Sequence, residues 1–340
     1  MRPGIPVMTG LYARLTMKYN DKVFRRLYRG AILLVLLLPV WVHADELPVL
    51  KLSVLQYGTA HWELDHIQRE GLDRQAGFAL DVRLVANLPA SRIAVSSGDV
   101  HGAVVDLTWT QASFAAGERF LYVPYSSQIG NVLAAPQTPI DRLDDLKGKR
   151  IGVAGGPDSK GWIILNEAAR KRGIDLSQEA SIQYAAPPLL NQALLRGQLD
   201  VLVTFWNFAA ELTASGSAYT AVDMQVLMQE LGLAPQLPIL GYVFRETWAK
   251  DNAALLESFV EAIATAKDQL ASEPQHWEAL RPLMRFRDEA HFDALRQGFI
   301  EGIPKPLSHD SVRQLQQLLI LTGVEADRVM SATLFYCPDC

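Results

Sequence analysis

Residues Gly155 to Trp162, GGPDSKGW, gather a glycine pair, a carboxylate, a hydroxyl, an ammonium and an indole in one short stretch. The apolar run before them reads as a strand, and the run to Gly173 reads as a helix. A strand that turns into a helix leaves the first helical N–H groups free above the sheet, where an anion or polar group is held. Spacing excludes two familiar uses. A phosphate loop needs Lys and Ser/Thr after its last glycine, and Trp162 and Ile163 stand there. A dinucleotide turn needs G-x-G-x-x-G, which Gly155, Gly156 and Gly161 do not give. Two readings remain. In one, Gly156, Asp158, Ser159 and Lys160 form half of a ligand site. In the other, Asp158 or Ser159 only caps the helix.

Aromatic residues fall at matching places. Trp62, Trp109, Trp162 and Trp206 each lie just past an expected strand or in the first turn of the next helix, and Tyr57, Phe205 and Tyr242 extend the set. A single tryptophan at such a place serves core packing; four of them read as the lining of a cleft. The same loops carry Thr59 and His61, then Asp106 and Thr108, then Ser127 and Gln128, and finally Asn207. An aromatic lining with acidic groups suits a planar or cationic ligand. Lys160 beside free N–H groups suits a sulfonate, carboxylate or phosphate. A zwitterionic or aromatic compound would use both.

No catalytic constellation stands out: neither G-x-S-x-G nor H-E-x-x-H occurs. HWELDH crowds His61, Glu63, Asp65 and His66, but helical positions five apart lie about 140° around the axis. His61 and His66 therefore do not share a metal on one face. Cys337 and Cys340, in CPDC, suit a small disulfide in an oxidising compartment. Zinc would need two further ligands. We expect no catalytic residues, no metal and no cofactor.

The elements that must position these groups alternate. VLKLSVLQY, ALDVRLVA and GAVVDLTW read as strands with helices between them. KRIGVAG, SIQYAA and DVLVTFW repeat the theme. Pro187, Pro188 and Gly197 bracket one helix. Strands alternating with helices imply parallel sheets covered on both faces, with ligands beyond the carboxyl ends of the strands. SGDVHGAVVDLTW and RGQLDVLVTFW both run glycine, helix exit, apolar strand, tryptophan. That pattern is either two similar lobes or the common form of a helix–strand joint. After about residue 250 the sequence is mostly helical.

The chain has 340 residues, 49% hydrophobic and 20% charged, with net charge −5. These are globular values, and nucleic acid is not an expected partner. Basic residues cluster only at the start: Arg2, Arg14, Lys18, Lys22, Arg25, Arg26 and Arg29 face Asp21 alone. AILLVLLLPVWV follows at 31–42, too short for a bilayer of roughly 30 Å. VHA then ends at Ala44. Residues 1–44 are expected to be a signal peptide cleaved near Ala44, releasing the mature chain to the periplasm without membrane insertion.

LDDLKGKRIGVAGG (Leu143–Gly156), LLRGQLDVLVTFW (Leu194–Trp206) and SSGDVHGAVVD (Ser96–Asp106) resemble the periplasmic substrate-binding proteins of ABC importers. The group is the nitrate/sulfonate/taurine type, with its thiamine-pyrimidine relatives. The resemblance covers most of Lys51 to about Pro306; His101 departs from it, standing where members usually carry Asp. It implies a two-lobed α/β fold of type II. Each lobe would be a mostly parallel sheet flanked by helices, with two crossing hinge strands at SQIGNVLAAP and LPILGYVF. Lobe one would comprise residues 45–132 and 241–340, and lobe two residues 133–240. The implied function is capture of a small organic molecule and its delivery to an ABC permease and its ATPase subunit, without catalysis. Two alternatives stand beside it: an enzyme of the same fold, of dehydratase or pyrimidine-forming type, and a ligand-presenting subunit for a membrane sensor.

Overall fold

Apolar runs closed by glycine dictate the architecture. The structure is a computed structural model that describes residues 47–338 and 340. The expected signal peptide lies outside them. The first segment alternates β1 (Val49–Leu55), α1 (Thr59–Arg69), α2 (Leu72–Gln75), β2 (Ala79–Val85), α3 (Leu88–Ser97), β3 (Gly102–Asp106), α4 (Leu107–Ala115) and β4 (Phe120–Ser126). The second contains β5 (Asn131–Ala134), β6 (Arg150–Ala154), α5 (Lys160–Lys171), α6 (Leu176–Glu179), β7 (Ser181–Ala185), α7 (Pro187–Leu195), β8 (Val201–Thr204), α8 (Trp206–Ala214), β9 (Tyr219–Val222) and α9 (Met224–Glu230). The third returns as β10 (Leu240–Arg245), α10 (Glu246–Asp251), α11 (Ala253–Ser272), α12 (His276–Met284), α13 (Glu289–Glu301) and α14 (His309–Leu321).

Two five-stranded sheets result, in the orders β2-β1-β3-β10-β4 and β7-β6-β8-β5-β9. In each sheet the first three strands run parallel. In each, the fourth is antiparallel to both of its neighbours. That reversed strand is the one whose chain has just arrived from the other sheet. The two orders are the same, so β3 and β8 hold equivalent third positions. The two similar stretches of sequence therefore mark equivalent joints, one in each lobe.

The chain passes between the sheets at 127–130 and again at 231–239. The expected joins at 132/133 and 240/241 instead fall inside β5 and β10. Backbone polar groups at those positions are satisfied in the sheet ladders, so the strands belong to the lobes and the connections lie just before them. Gly130, at φ +116°, threads past the end of β8: a Cβ there would stand 2.4 Å from the Thr204 carbonyl oxygen. No residue with a side chain fits that path.

The core departs from the expectation in one respect. The sequence places the C-terminal helices in lobe one, yet α14 packs against both lobes. Its buried residues Val312, Leu315, Leu318 and Leu319 recur at helical spacing. They join one apolar cluster with Val105 and Leu107 of lobe one, Ile129 and Ile239 at the crossings, and Ile151, Ile164 and Leu165 of lobe two. Gln314 Oε1 also accepts from Ala234 N at 2.6 Å. Beyond α14 the chain returns to lobe one, where Tyr336 N donates to Tyr122 O at 2.8 Å. Cys337 and Cys340 are disulfide-bonded.

Candidate functional site

Of the helices that begin just beyond parallel strands, four carry the expected residues: α1 after β1, α4 after β3, α5 after β6 and α8 after β8. Asp106 caps α4, its Oδ1 accepting from Trp109 N at 2.8 Å. The other three have no side-chain cap. Gly58, Ser159 and Phe205 hold their N-cap positions, and none accepts a hydrogen bond there. Elsewhere Asn87, Asp223, Asp288 and Ser308 cap α3, α9, α13 and α14. The expected cap of α5 by Asp158 or Ser159 is thus absent. The first N–H groups of α1, α5 and α8 are left for another acceptor.

Lobes one and two meet at two cavities. The first sets Asp106 and Thr108 of lobe one against Lys160 of lobe two; Ile163, Ile239, Leu318 and Leu319 are among its apolar walls. Asp106 accepts from Thr108 Oγ1, from Trp109 N, and from Arg92 at 2.7 Å. Burial works to raise its pKa, but the Thr108 hydroxyl, the Arg92 charge and the Trp109 N–H prevail and hold the carboxylate below its usual range. With three donors already bound, Asp106 is a positioned anion more than a free ligand group. Lys160 is half-buried, and its ammonium has no hydrogen-bond partner among the described residues. Desolvation lowers its pKa to about 8, against the opposing pull of Asp106. An ammonium so placed gains from an arriving anion.

The second cavity is lined by Thr59, Tyr125, Ser126, Lys267, Phe299, Gly302 and Ile303 of lobe one and by Trp206 of lobe two. Lys267 is 6% exposed. It is bonded to the buried Glu63 carboxylate and to Tyr125 O at 3.2 Å. Its ammonium also lies over the Tyr125 and Phe299 rings, at 4.7 and 5.5 Å from their centroids. Tyr242 Oη donates to Glu63 at 2.9 Å. Burial drives the Glu63 pKa up even so, against the Lys267 charge. Sequence reading missed Lys267 and weighed Glu63 only within the HWELDH cluster. A signal existed: each interrupts an apolar stripe, Lys267 between Ile263 and Leu270 on α11, and Glu63 between Ala60 and Ile67 on α1.

The remaining candidates divide. Phe205 and Ser159 both flank Gly155, each 3.8 Å from where its Cβ would stand. Gly156 adjoins Asp158 in the same turn, and Asn207 lies half-buried in the first turn of α8. Ser127 is buried at the crossing, and its hydroxyl has no hydrogen-bond partner; neither has the hydroxyl of Thr204 at the end of β8. Gln128 Nε2 donates to Gly298 O at 2.7 Å. Three aromatics expected in the cleft are core residues instead. Trp62 packs with Trp277 and Phe299, Trp162 joins the apolar cluster under α5, and Tyr242 is closed off beside Phe259. Trp62, fourth in α1, turns into a cluster of helix residues, and Trp162, third in α5, turns into the apolar cluster beneath that helix. Trp109 is half-buried against Phe120. Tyr57 is exposed beneath the Arg285 guanidinium, and His61 Nδ1 pairs with Gln56 O at 3.0 Å. Of the expected aromatics, Trp206 alone lines either cavity.

Solved structures share this architecture. The alkanesulfonate-binding protein SsuA from Xanthomonas axonopodis pv. citri, bound to MOPS, matches at 18% identity and TM-score 0.66, over 86% of this chain and 100% of that one. The periplasmic aliphatic sulphonate binding protein SsuA from Escherichia coli matches at 18% and 0.66, over 81% and 91%. The desulfurization enzyme DszB in complex with biphenyl-2-sulfinic acid matches at 18% and 0.57, over 86% and 97%. These likenesses establish the two-lobed periplasmic binding protein fold. No curated protein matches the chain. Among the described residues no helix is long and apolar enough to cross a membrane. The NMT1/THI5-like family model matches residues 74–277, a stretch that contains Lys160, Trp206 and both crossings, and so the chain belongs to the NMT1/THI5-like family.

Proposed function

We propose that this protein is the solute-binding component of an ABC uptake system. It holds a small organic anion between its lobes and delivers it to a membrane permease with its ATPase subunit. The observation that carries this reading is Lys160, at the uncapped start of α5, facing Asp106 and Thr108 of the other lobe across a cavity. A sulfonate, sulfinate or carboxylate would take the Lys160 ammonium and the free α5 N–H groups. The Ser127 and Thr204 hydroxyls, at the crossing and at the end of β8, are buried and without a partner among the described residues. Asp106 then favours a ligand with a positive or hydrogen-bond-donating part as well, such as a zwitterion. The structural relatives named for alkanesulfonate, aliphatic sulphonate and biphenyl-2-sulfinic acid fit the same anion class. Removal of residues 1–44 by signal peptidase would release the mature chain to the periplasm.

The test is mass spectrometry of the compound that co-purifies with periplasmic protein, followed by calorimetry with alkanesulfonates, arylsulfinates and pyrimidines. Recovery of an unaltered organic anion, bound more weakly by Lys160→Gln, is the expected result. A ligand without negative charge would overturn the anion assignment. Chemical conversion of the bound compound would overturn the transport reading in favour of an enzyme, the class to which DszB belongs.

A further inference from the structure

α1 has two working ends. Its first residue, Thr59, lines the second cavity. Its last turn, about 10–16 Å further along by the helical rise, carries His66 and Glu70, which lie on one face at i and i+4. His276, the first residue of α12, packs against them. Each of the three offers one ligand atom, and these atoms all lie within 4.8 Å of one another. His276 Nδ1 is 3.5 Å from Glu70 Oε1, and His276 Nε2 is 3.3 Å from Glu273 Oε2. The His66 and His276 rings meet edge to face, with centroids 4.7 Å apart. His66 Nε2 donates to Gln269 Oε1 at 2.8 Å, which leaves the lone pair of that ring on Nδ1.

An ion pair explains why His276 sits between two carboxylates. It does not explain why a second imidazole, 1% exposed, shares the same corner. Two imidazoles and the Glu70 carboxylate turn ligand atoms toward one another, an arrangement that a cation placed among them would stabilise. The set matches borderline divalent metals, which take imidazole nitrogen and carboxylate oxygen at about 2.0–2.2 Å. Tetrahedral bonds of that length separate ligand atoms by about 3.3–3.5 Å, the spacing found between His276 and Glu70. An amide oxygen behind a ligating histidine is the usual outer-shell partner that fixes its tautomer and aim; Gln269 holds that place.

We propose that His66, Glu70 and His276 bind a divalent transition metal ion, Zn²⁺ foremost, with water as the fourth ligand and Glu273 holding the other ring nitrogen of His276. The ion would pin the end of α1 to the start of α12, about 10–16 Å along α1 from Thr59 at the second cavity. It is independent of the ligand proposed between the lobes.

The test uses tag-free mature protein, dialysed against chelator, with Zn²⁺ alone in calorimetry and Co²⁺ alone in visible absorption. The expected result is about one equivalent bound, intense d–d bands of a tetrahedral Co²⁺ site, and a higher melting temperature with Zn²⁺. His276→Ala and Glu70→Ala, both outside the core, should abolish the bands while leaving the far-UV circular dichroism of the apo protein unchanged. Gln269→Ala should weaken Zn²⁺ binding about 10–100-fold. Absence of stoichiometric binding by the wild-type protein overturns the proposal, as do Co²⁺ bands that persist in His276→Ala.

Discussion

The Trp206 indole fills the space that a side chain at Gly298 would need: a Cβ there would stand 2.5 Å from Cζ3 and 2.6 Å from Cε3. This contact joins α8 of lobe two to α13 of lobe one. One turn further along α13, Gly302 receives the crossing segment: its carbonyl accepts from Ser127 N at 2.9 Å, and its own missing Cβ leaves room for Gln128. Two glycines four residues apart thus give α13 a bare face on which the hinge and the second lobe rest. The Arg287–Glu211 ion pair ties the same edge.

Gly298→Ala should therefore open the molecule. Alanine favours the helix by roughly 1 kcal/mol, so α13 itself does not suffer. The clash with Trp206 costs about 1–3 kcal/mol of the closed arrangement. Small-angle scattering of the ligand-free variant should give a larger radius of gyration than wild type, and ligand affinity should fall by about tenfold or more. Adding Trp206→Ala to the same chain should restore the wild-type radius. Identical scattering from wild type and Gly298→Ala would show that this contact does not hold the lobes together.

The fold was legible because its signals are local. Alternating apolar runs and glycine exits marked the strands and helices, and two like stretches marked joints that prove topologically equivalent. The site was less legible. Lys160, Ser127 and Trp206 could be named because they sit where strands end. Trp62, Trp162 and Tyr242 sit near strand ends too, but sequence position does not say which way a side chain turns from its helix or strand. Gly298 and Gly302 carried no signal, since their role lies in what approaches them from about 90–170 positions earlier in the chain. For α14, the sequence shows an apolar stripe but not that the stripe covers both lobes.

Lys267 and Glu63 should show the asymmetry of a buried ion pair. Glu63 is fully buried and Lys267 nearly so. Lys267→Met leaves a carboxylate without its cation, and Glu63→Gln leaves an ammonium without its anion. Each single change should cost about 3–5 kcal/mol in urea unfolding. The double variant should recover much of that loss, because two desolvated charges are removed together. Strictly additive losses would show that the two side chains do not act as a pair.

Gly155 tests backbone against contact. Its φ of +93° lies in the region that favours glycine. A Cβ would meet only ordinary contacts, at 3.8 Å from Phe205 and Ser159. Gly155→Ala should destabilise the fold by about 1–2 kcal/mol through backbone strain alone. It should weaken ligand binding as well, since this turn sets the start of α5 and with it Lys160. A variant with wild-type stability would mean that the turn relaxes to negative φ without loss.

Lys160 links the site to pH in two ways with opposite signs. Its pKa in the folded protein is about 8, below the ordinary lysine value of 10.5. Between these two values the unfolded chain binds more protons than the folded one, so stability from this group rises with pH across that window. Below about 8 the ammonium is charged in both states and its desolvation is felt in full. Lys160→Met should therefore raise the melting temperature of the ligand-free protein at pH 7, and this advantage should shrink toward pH 10. Anion binding runs the other way, because it needs the charged ammonium. Wild-type affinity for the anion should be flat up to about pH 7 and fall as pH rises through 8. A hydrogen bond to a charged group contributes about 1.5–3 kcal/mol, so Lys160→Met should bind about ten- to a hundredfold more weakly at pH 7 and lose the pH dependence. Calorimetry at pH 6.5 and pH 9 checks both. An affinity that stays constant across that range in the wild-type protein would place the anion away from Lys160.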